Sequence, residues 1–171
     1  LDGWPKAGSW TPAERLAIKN WVILGGGMLL VMGSEGLQNL PGRNEEIEYE
    51  RIRKELADIF QERRLEPVAF NHAVFRSFYL VKLLGGVLQR ARSLEGIKIG
   101  DRYGVIYCRN DLLGTLLRDK DGRYLLSCYP GGENQRKESF KLVVNLVVYA
   151  LTGTYKQDVI HSPFIEQKLR A

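Results

Sequence analysis

The apolar positions of the chain recur with a helical period near the N-terminus and then run without a break. Thr11-Pro12-Ala13-Glu14 forms a capping box with proline at the first helical position. Ala13, Leu16, Ala17, Trp21 and Leu24 follow at helical spacing, and Glu14, Arg15, Lys19 and Asn20 face away. The spacing predicts a helix whose apolar stripe, Trp21 included, lies in the core. Gly25-Gly26-Gly27 ends it, because glycine takes the left-handed C-cap conformation at little cost. Residues 28–32, Met-Leu-Leu-Val-Met, are continuously apolar. A strand apolar on both faces predicts a parallel sheet covered on both sides.

A second helix is predicted over 45–60, with Tyr49, Ile52, Leu56 and Ile59 as its stripe. On its wet side Glu50–Lys54 and Arg51–Glu55 are spaced for i,i+4 pairs. Residues 64–81 are irregular and rich in aromatics, and 83–93 read as a loop or short helix. Residues 96–99 and 103–108 alternate as a hairpin around Gly100-Asp101. Asn110-Asp111 ends the second strand and is placed to cap a short helix reaching Leu117. An extra strand is expected over 123–129, broken by Pro130-Gly131-Gly132. Residues 137–151 have a Val-rich centre that suits strand or helix. Their length and the Thr152-Gly153 stop favour a buried helix. Asn145 lies within it, and a buried amide must be satisfied, so it is expected to bond a neighbouring loop backbone. Residues 154–171 read as a surface tail.

These elements describe a single α/β domain over 1–171. Leu1-Asp2-Gly3-Trp4-Pro5 reads as a buried strand ending in a loop, so the domain's N-terminal part is expected to lie upstream. At 171 residues and 44% hydrophobic, the chain can bury a sizeable core. The net charge of +5 is dispersed over many short clusters. Nucleic-acid interfaces concentrate such charge on one face, so no nucleic-acid partner is expected. No apolar run is long enough to span a bilayer. Cys108 and Cys128 match no zinc spacing and are too few for a disulfide framework; two buried free thiols are expected, with a single disulfide as the alternative for an exported protein. No metal and no cofactor is implied.

The candidate chemistry lies in the loops. Gly33-Ser34-Glu35-Gly36 follows the apolar strand with the small residues a nucleophile elbow needs. Ser34 there would need a base, and His72 is the candidate, with Asp2, Asp111 or Glu35 behind it. Gly33, Glu35, Asn110 and Asp111 sit after strands, where α/β domains bind ligands. Each has a plainer reading. Gly-Ser-x-Gly is a common loop, and Asn110-Asp111 suits capping. His72, among Phe70, Val74 and Phe75, suits a hydrogen-bonded residue packed under a loop.

Four stretches carry a family resemblance: residues 21–32, residues 70–79 (Phe-Asn-His-Ala-Val-Phe-Arg-Ser-Phe-Tyr), residues 104–112 (Gly-Val-Ile-Tyr-Cys-Arg-Asn-Asp-Leu) and residues 144–154 (Val-Asn-Leu-Val-Val-Tyr-Ala-Leu-Thr-Gly-Thr). They resemble bacterial domain-of-unknown-function family four-one-five-nine over nearly the whole chain. The resemblance implies a three-layer α/β sandwich with a mostly parallel central sheet, flavodoxin-like and related to class I glutamine amidotransferases. It implies export or membrane anchoring, in the periplasm or elsewhere in the envelope, with other envelope proteins as partners. Members carry an acidic residue and proline beside the histidine, where this chain has Asn71 and Ala73. The amidotransferase nucleophile is a cysteine at the elbow, where this chain has Ser34, which argues against glutamine hydrolysis. The expected function is therefore a non-catalytic ligand- or protein-binding module, and the alternative is a serine hydrolase using Ser34 and His72.

Overall fold

The computed structural model describes residues 10–33, 45–61 and 63–152. In chain order the elements are α1 (Pro12–Ile23), β1 (Leu29–Met32), α2 (Glu45–Phe60), β2 (Glu66–Pro67), β3 (Glu95–Ile99), β4 (Arg102–Cys108) and α3 (Gly132–Thr152). Single 3-10 turns lie at Ala73–Phe75 and Gly114–Leu116.

The sheet order is β1-β4-β3-β2. β1 runs parallel to β4, with Leu29 opposite Val105 and Met32 opposite Cys108. The other two pairings are antiparallel. The mostly parallel sheet expected from residues 28–32 is therefore corrected among the described residues to a mostly antiparallel one. Gly100, at φ +63°, closes a tight turn that sends β4 back along β3. The apolar run of β1 does report a parallel neighbour, but only for its own pairing.

Side chains on both faces of the sheet are covered. Val31, Ile97, Val105 and Tyr107 pack with Val22 of α1 and with Ile52, Leu56, Ile59 and Phe60 of α2. Tyr103, Ile106 and Cys108 pack with Leu142, Leu146 and Tyr149 of α3 and with Val68, Val74, Phe75 and Leu84 from the long segment between β2 and β3. β4 carries an extra residue opposite the Ile97–Lys98 step, which shifts its alternation and puts Tyr103 on the same face as Ile106 and Cys108. That residue is Gly104, where a Cβ would stand 2.5 Å from Ile99 and 2.8 Å from Val22.

α1 starts as its capping box requires. The Thr11 N–H donates to Glu14 Oε2 at 2.7 Å, and the Glu14 N–H donates back to Thr11 Oγ1 at 3.3 Å. Its rotation differs from expectation. Trp21 is 53% and Leu24 80% exposed, while Val22 is fully buried. The inward face is instead Arg15, Ile18 and Val22. The Arg15 Nη2 donates to the buried Glu55 Oε2 at 3.1 Å. Its Nε lies 2.9 Å from Oε1 but off the hydrogen-bond direction, so one bond carries the pair. Arg102 fixes the other end of α1, its guanidinium donating to Val22 O at 2.6 Å and to Gly27 O at 3.0 Å. These tertiary contacts choose between two overlapping apolar stripes. Glu55 is thereby turned from Arg51, which pairs with Glu48 instead.

α3 begins at Gly132, five residues before the expected start, because Gly132 at φ +53° opens the helix rather than breaking it. The added turn contains Gln135 and Arg136, both buried. The strand expected over 123–129 is replaced by two isolated bridges, Arg118 with Tyr124 and Leu88 with Tyr129.

Candidate functional site

The carboxyl ends of β1 and β4 meet at Gly33 and Arg109. The Gly33 N–H donates to Cys108 O at 2.8 Å, extending the parallel pairing by one residue. A Cβ on Gly33 would stand 2.2 Å from Arg109 O, so only glycine fits this approach. Ser34 and Glu35 lie outside the described residues.

Beside this junction an aromatic and cationic stack rises on the α2 side. The rings of Tyr107 and Tyr49 stack with centroids 5.8 Å apart. The Arg109 guanidinium lies 4.1 Å from the Tyr49 centroid and donates to Glu46 at 3.0 Å. The Tyr49 hydroxyl donates to Glu95 at 2.8 Å and accepts from Arg53 at 2.9 Å. Burial, then the Glu95 carboxylate, raise the Tyr49 pKa, and burial raises that of Tyr107 further, so both phenols stay protonated. The Arg90 N–H donates to Asn110 Oδ1 at this end of β4, and burial, then the charge of Arg109, lower the Arg90 pKa.

Asn110 and Asp111 stand at the same end of β4, and each is occupied structurally. Asn110 is fully buried. Its Oδ1 accepts from the N–H groups of Arg90 and Ala91 at 3.0 and 2.8 Å. Its Nδ2 donates to Gly85 O and Ala91 O at 2.7 and 3.0 Å. The amide's donor and acceptor capacity is thus used in holding the segment between β2 and β3. Asp111 Oδ1 accepts from the Gly114 N–H at 2.6 Å and sets the 3-10 turn that follows.

His72 lies at the opposite end of β4. Its ring is edge-on to Tyr103, 4.9 Å between centroids, and to Tyr149, at 5.5 Å. Tyr103 sits near the start of β4 and Cys108 at its end, about 17 Å apart at strand rise. His72 Nδ1 accepts from the Val74 N–H at 3.3 Å and so caps the Ala73–Phe75 turn. Burial, then Lys98 and Arg76, lower its pKa and keep it neutral. The charged groups acting on it are cations, which is not how an acidic group backs a catalytic base. The structure thus brings Gly33, Asn110 and Asp111 together and sets His72 elsewhere. Asp2 lies outside the described residues.

Cys108 and Cys128 are both buried free thiols. Burial pushes the Cys108 thiol up to about 12, far from thiolate reactivity. Among the described residues, no group of His, Cys, Asp and Glu can hold a metal ion. Nor is any helix among them long and apolar enough to cross a membrane.

Sequence reasoning missed the polar face of α3. Gln135 Nε2 donates to Gly86 O at 2.6 Å and to Tyr129 O at 3.0 Å. Ser139 Oγ accepts from the Gly86 N–H at 2.8 Å and donates to Gln135 O. Glu138 Oε2 accepts from the Lys82 N–H at 2.6 Å, and these bonds with Lys141 hold its pKa low despite burial. Asn145 acts as expected: Oδ1 accepts from Phe78 and Tyr79 N–H at 3.0 and 2.8 Å, and Nδ2 donates to Tyr79 O at 2.8 Å. The legible signal was Gly85-Gly86, where a Cβ would strike Ser139 on one residue and Asn110 on the other.

The molecule is thus a mixed α/β domain with a four-stranded sheet and three helices among its described residues. A family model described as "Domain of unknown function (DUF4159)" matches residues 4–151, and the chain belongs to that family. No curated protein matches the chain.

Proposed function

We propose that this chain is a binding domain without catalytic chemistry, and that it takes its ligand at the carboxyl ends of β1 and β4. The ligand class is anionic, a phosphate or carboxylate group on a small molecule or on an envelope protein. The observation that carries this reading is the Arg109 guanidinium held on the Tyr49 ring beside the Gly33 junction. The carboxyl edge of parallel strands is where α/β domains bind ligands. Arg109 and Arg90 supply positive charge there, and an anion would compete for Arg109 with the exposed Glu46 carboxylate. The fold reading that accompanies this is a flavodoxin-like, class I glutamine amidotransferase-like sandwich. The parallel β1–β4 pair and helices on both faces support it, and the resemblance supports a place in the bacterial envelope.

Titration calorimetry with inorganic pyrophosphate tests the reading. Binding is expected, weakened at least about tenfold in Arg109→Ala, the loss of one charge-assisted contact. Equal affinity in the variant would remove the site. A fluorophosphonate probe that labelled Ser34, with the labelling abolished in His72→Asn, would replace binding by the serine-hydrolase reading.

A further inference from the structure

The segment after β2 and the start of β4 gather positive charge around one aromatic ring. His72 opens the Ala73–Phe75 turn as its N-cap, and Arg76 closes it. Lys98 reaches the same place from β3, where it lies opposite Tyr103. The Tyr103 ring is the common support. Lys98 Nζ lies 5.7 Å from its centroid, and the His72 ring stands edge-on to it at 4.9 Å. Lys98 and Arg76 are exposed, and the charge of each acts on the His72 ring. Among the described residues neither has a carboxylate partner. The other groups around the ring supply no compensating charge. The Tyr149 hydroxyl of α3 accepts from the Tyr103 N–H at 2.9 Å, and Arg102 of β4 is turned to the carbonyls of Val22 and Gly27.

His72 also has a donor to spare. Its Nδ1 accepts from the Val74 N–H, so the neutral ring carries its proton on Nε2. Among the described residues Nε2 has no acceptor, and it is not sealed from solvent. The ring is thus held by one nitrogen and presents an N–H on the other. We infer that His72, Lys98 and Arg76 form an anion site at the amino end of β4, which takes the phosphate group of a small molecule. Two cations match a doubly charged group, and its several oxygens can accept from guanidinium, ammonium and Nε2–H together. A bound anion offsets the repulsion between the two cations and leaves the Nδ1 cap intact. The site is separate from Arg109, at the other end of the strand, and does not depend on what binds there.

The test is an NMR titration of the His72 ring over about pH 5 to 8, in inorganic phosphate and in chloride of equal ionic strength. The chain has two histidines, so His72→Asn identifies the signal. A negative charge beside the ring favours its protonated form. The expected result is a His72 pKa higher in phosphate by at least about one unit, a tenfold change in the protonation equilibrium. The rise is expected to shrink in Lys98→Met and in Arg76→Gln, and to persist in Arg109→Ala. Both side chains are exposed, and Lys98→Met keeps an apolar stem beside Tyr103, so each variant is expected to fold. Equal values in the two salts overturn the inference, as does a rise that either variant retains. A rise lost in Arg109→Ala also overturns it, because the anion would then act from the other end of β4.

Discussion

The two faces of the sheet are held in different ways. Towards α1 and α2 the layer that lies on the sheet is apolar, with Ile52, Leu56, Ile59 and Phe60 on Val31, Ile97, Val105 and Tyr107, and polar contacts such as Arg15 with Glu55 and Tyr49 with Glu95 stand around it. Towards α3 an apolar base is overlaid by buried polar side chains. Gln135, Glu138, Ser139 and Asn145 from the helix, and Asn110 from the end of β4, bond the backbone of residues 78–91. That segment has little regular structure, so its backbone groups lack a ladder to satisfy them. The polar side chains take the ladder's place. An apolar face tolerates exchange of one hydrophobe for another, whereas a satisfied polar face depends on particular atoms.

The sharpest way to break this comparison is a pair of near-isosteric exchanges. Leu56→Met on the apolar face is expected to cost less than about 1.5 kcal/mol. Asn110→Leu on the polar face strands buried N–H and C=O groups from Gly85 to Ala91 and is expected to cost about 3–5 kcal/mol. Urea midpoints measure both, and similar losses would mean that the two faces do not differ in kind.

A smaller effect comes from His72, which is kept neutral and accepts the Val74 N–H. Its folded pKa is lowered, so the unfolded chain binds the proton more readily. The stabilisation is full above the unfolded value, near 6.5, and declines as pH falls through that value. Stability should therefore fall as pH drops from neutral through about 6.5. His72→Asn keeps a cap acceptor and should flatten that slope in thermal melts taken across pH.

The smallest expected effect sharpens the orientation of α1. Leu24→Ser should change stability by no more than about 0.5 kcal/mol, as for other exposed positions. A loss of several kcal/mol would place Leu24 in a core after all.

Legibility followed the same division. α2 was read with its bounds and its buried stripe correct, because one unambiguous helical period points to one face. The start of α1 was equally plain from the Thr11–Glu14 box. Its rotation was not, because Leu16, Trp21 and Leu24 compete with Ile18 and Val22, and periodicity cannot rank two stripes. At the candidate site, the ends of β1 and β4 were visible as apolar runs meeting Gly33 and Asn110. Arg109 and Tyr49 were not, since they lie sixty residues apart in sequence and meet only across α2 and β4.

By itself the sequence determined where α1 and α2 begin, where β1 and the β3–β4 hairpin run, and that Asn145 must bond a loop. Those features rest on local forces: capping, apolar period and the cost of an unpaired amide. Tertiary structure alone decided that β4 lies parallel to β1 yet antiparallel to β3, which side of α1 turns inward, and that His72 and Gly33 stand at opposite ends of one strand. Each depends on contacts between residues far apart in the chain, where spacing along the sequence carries no information about distance in space.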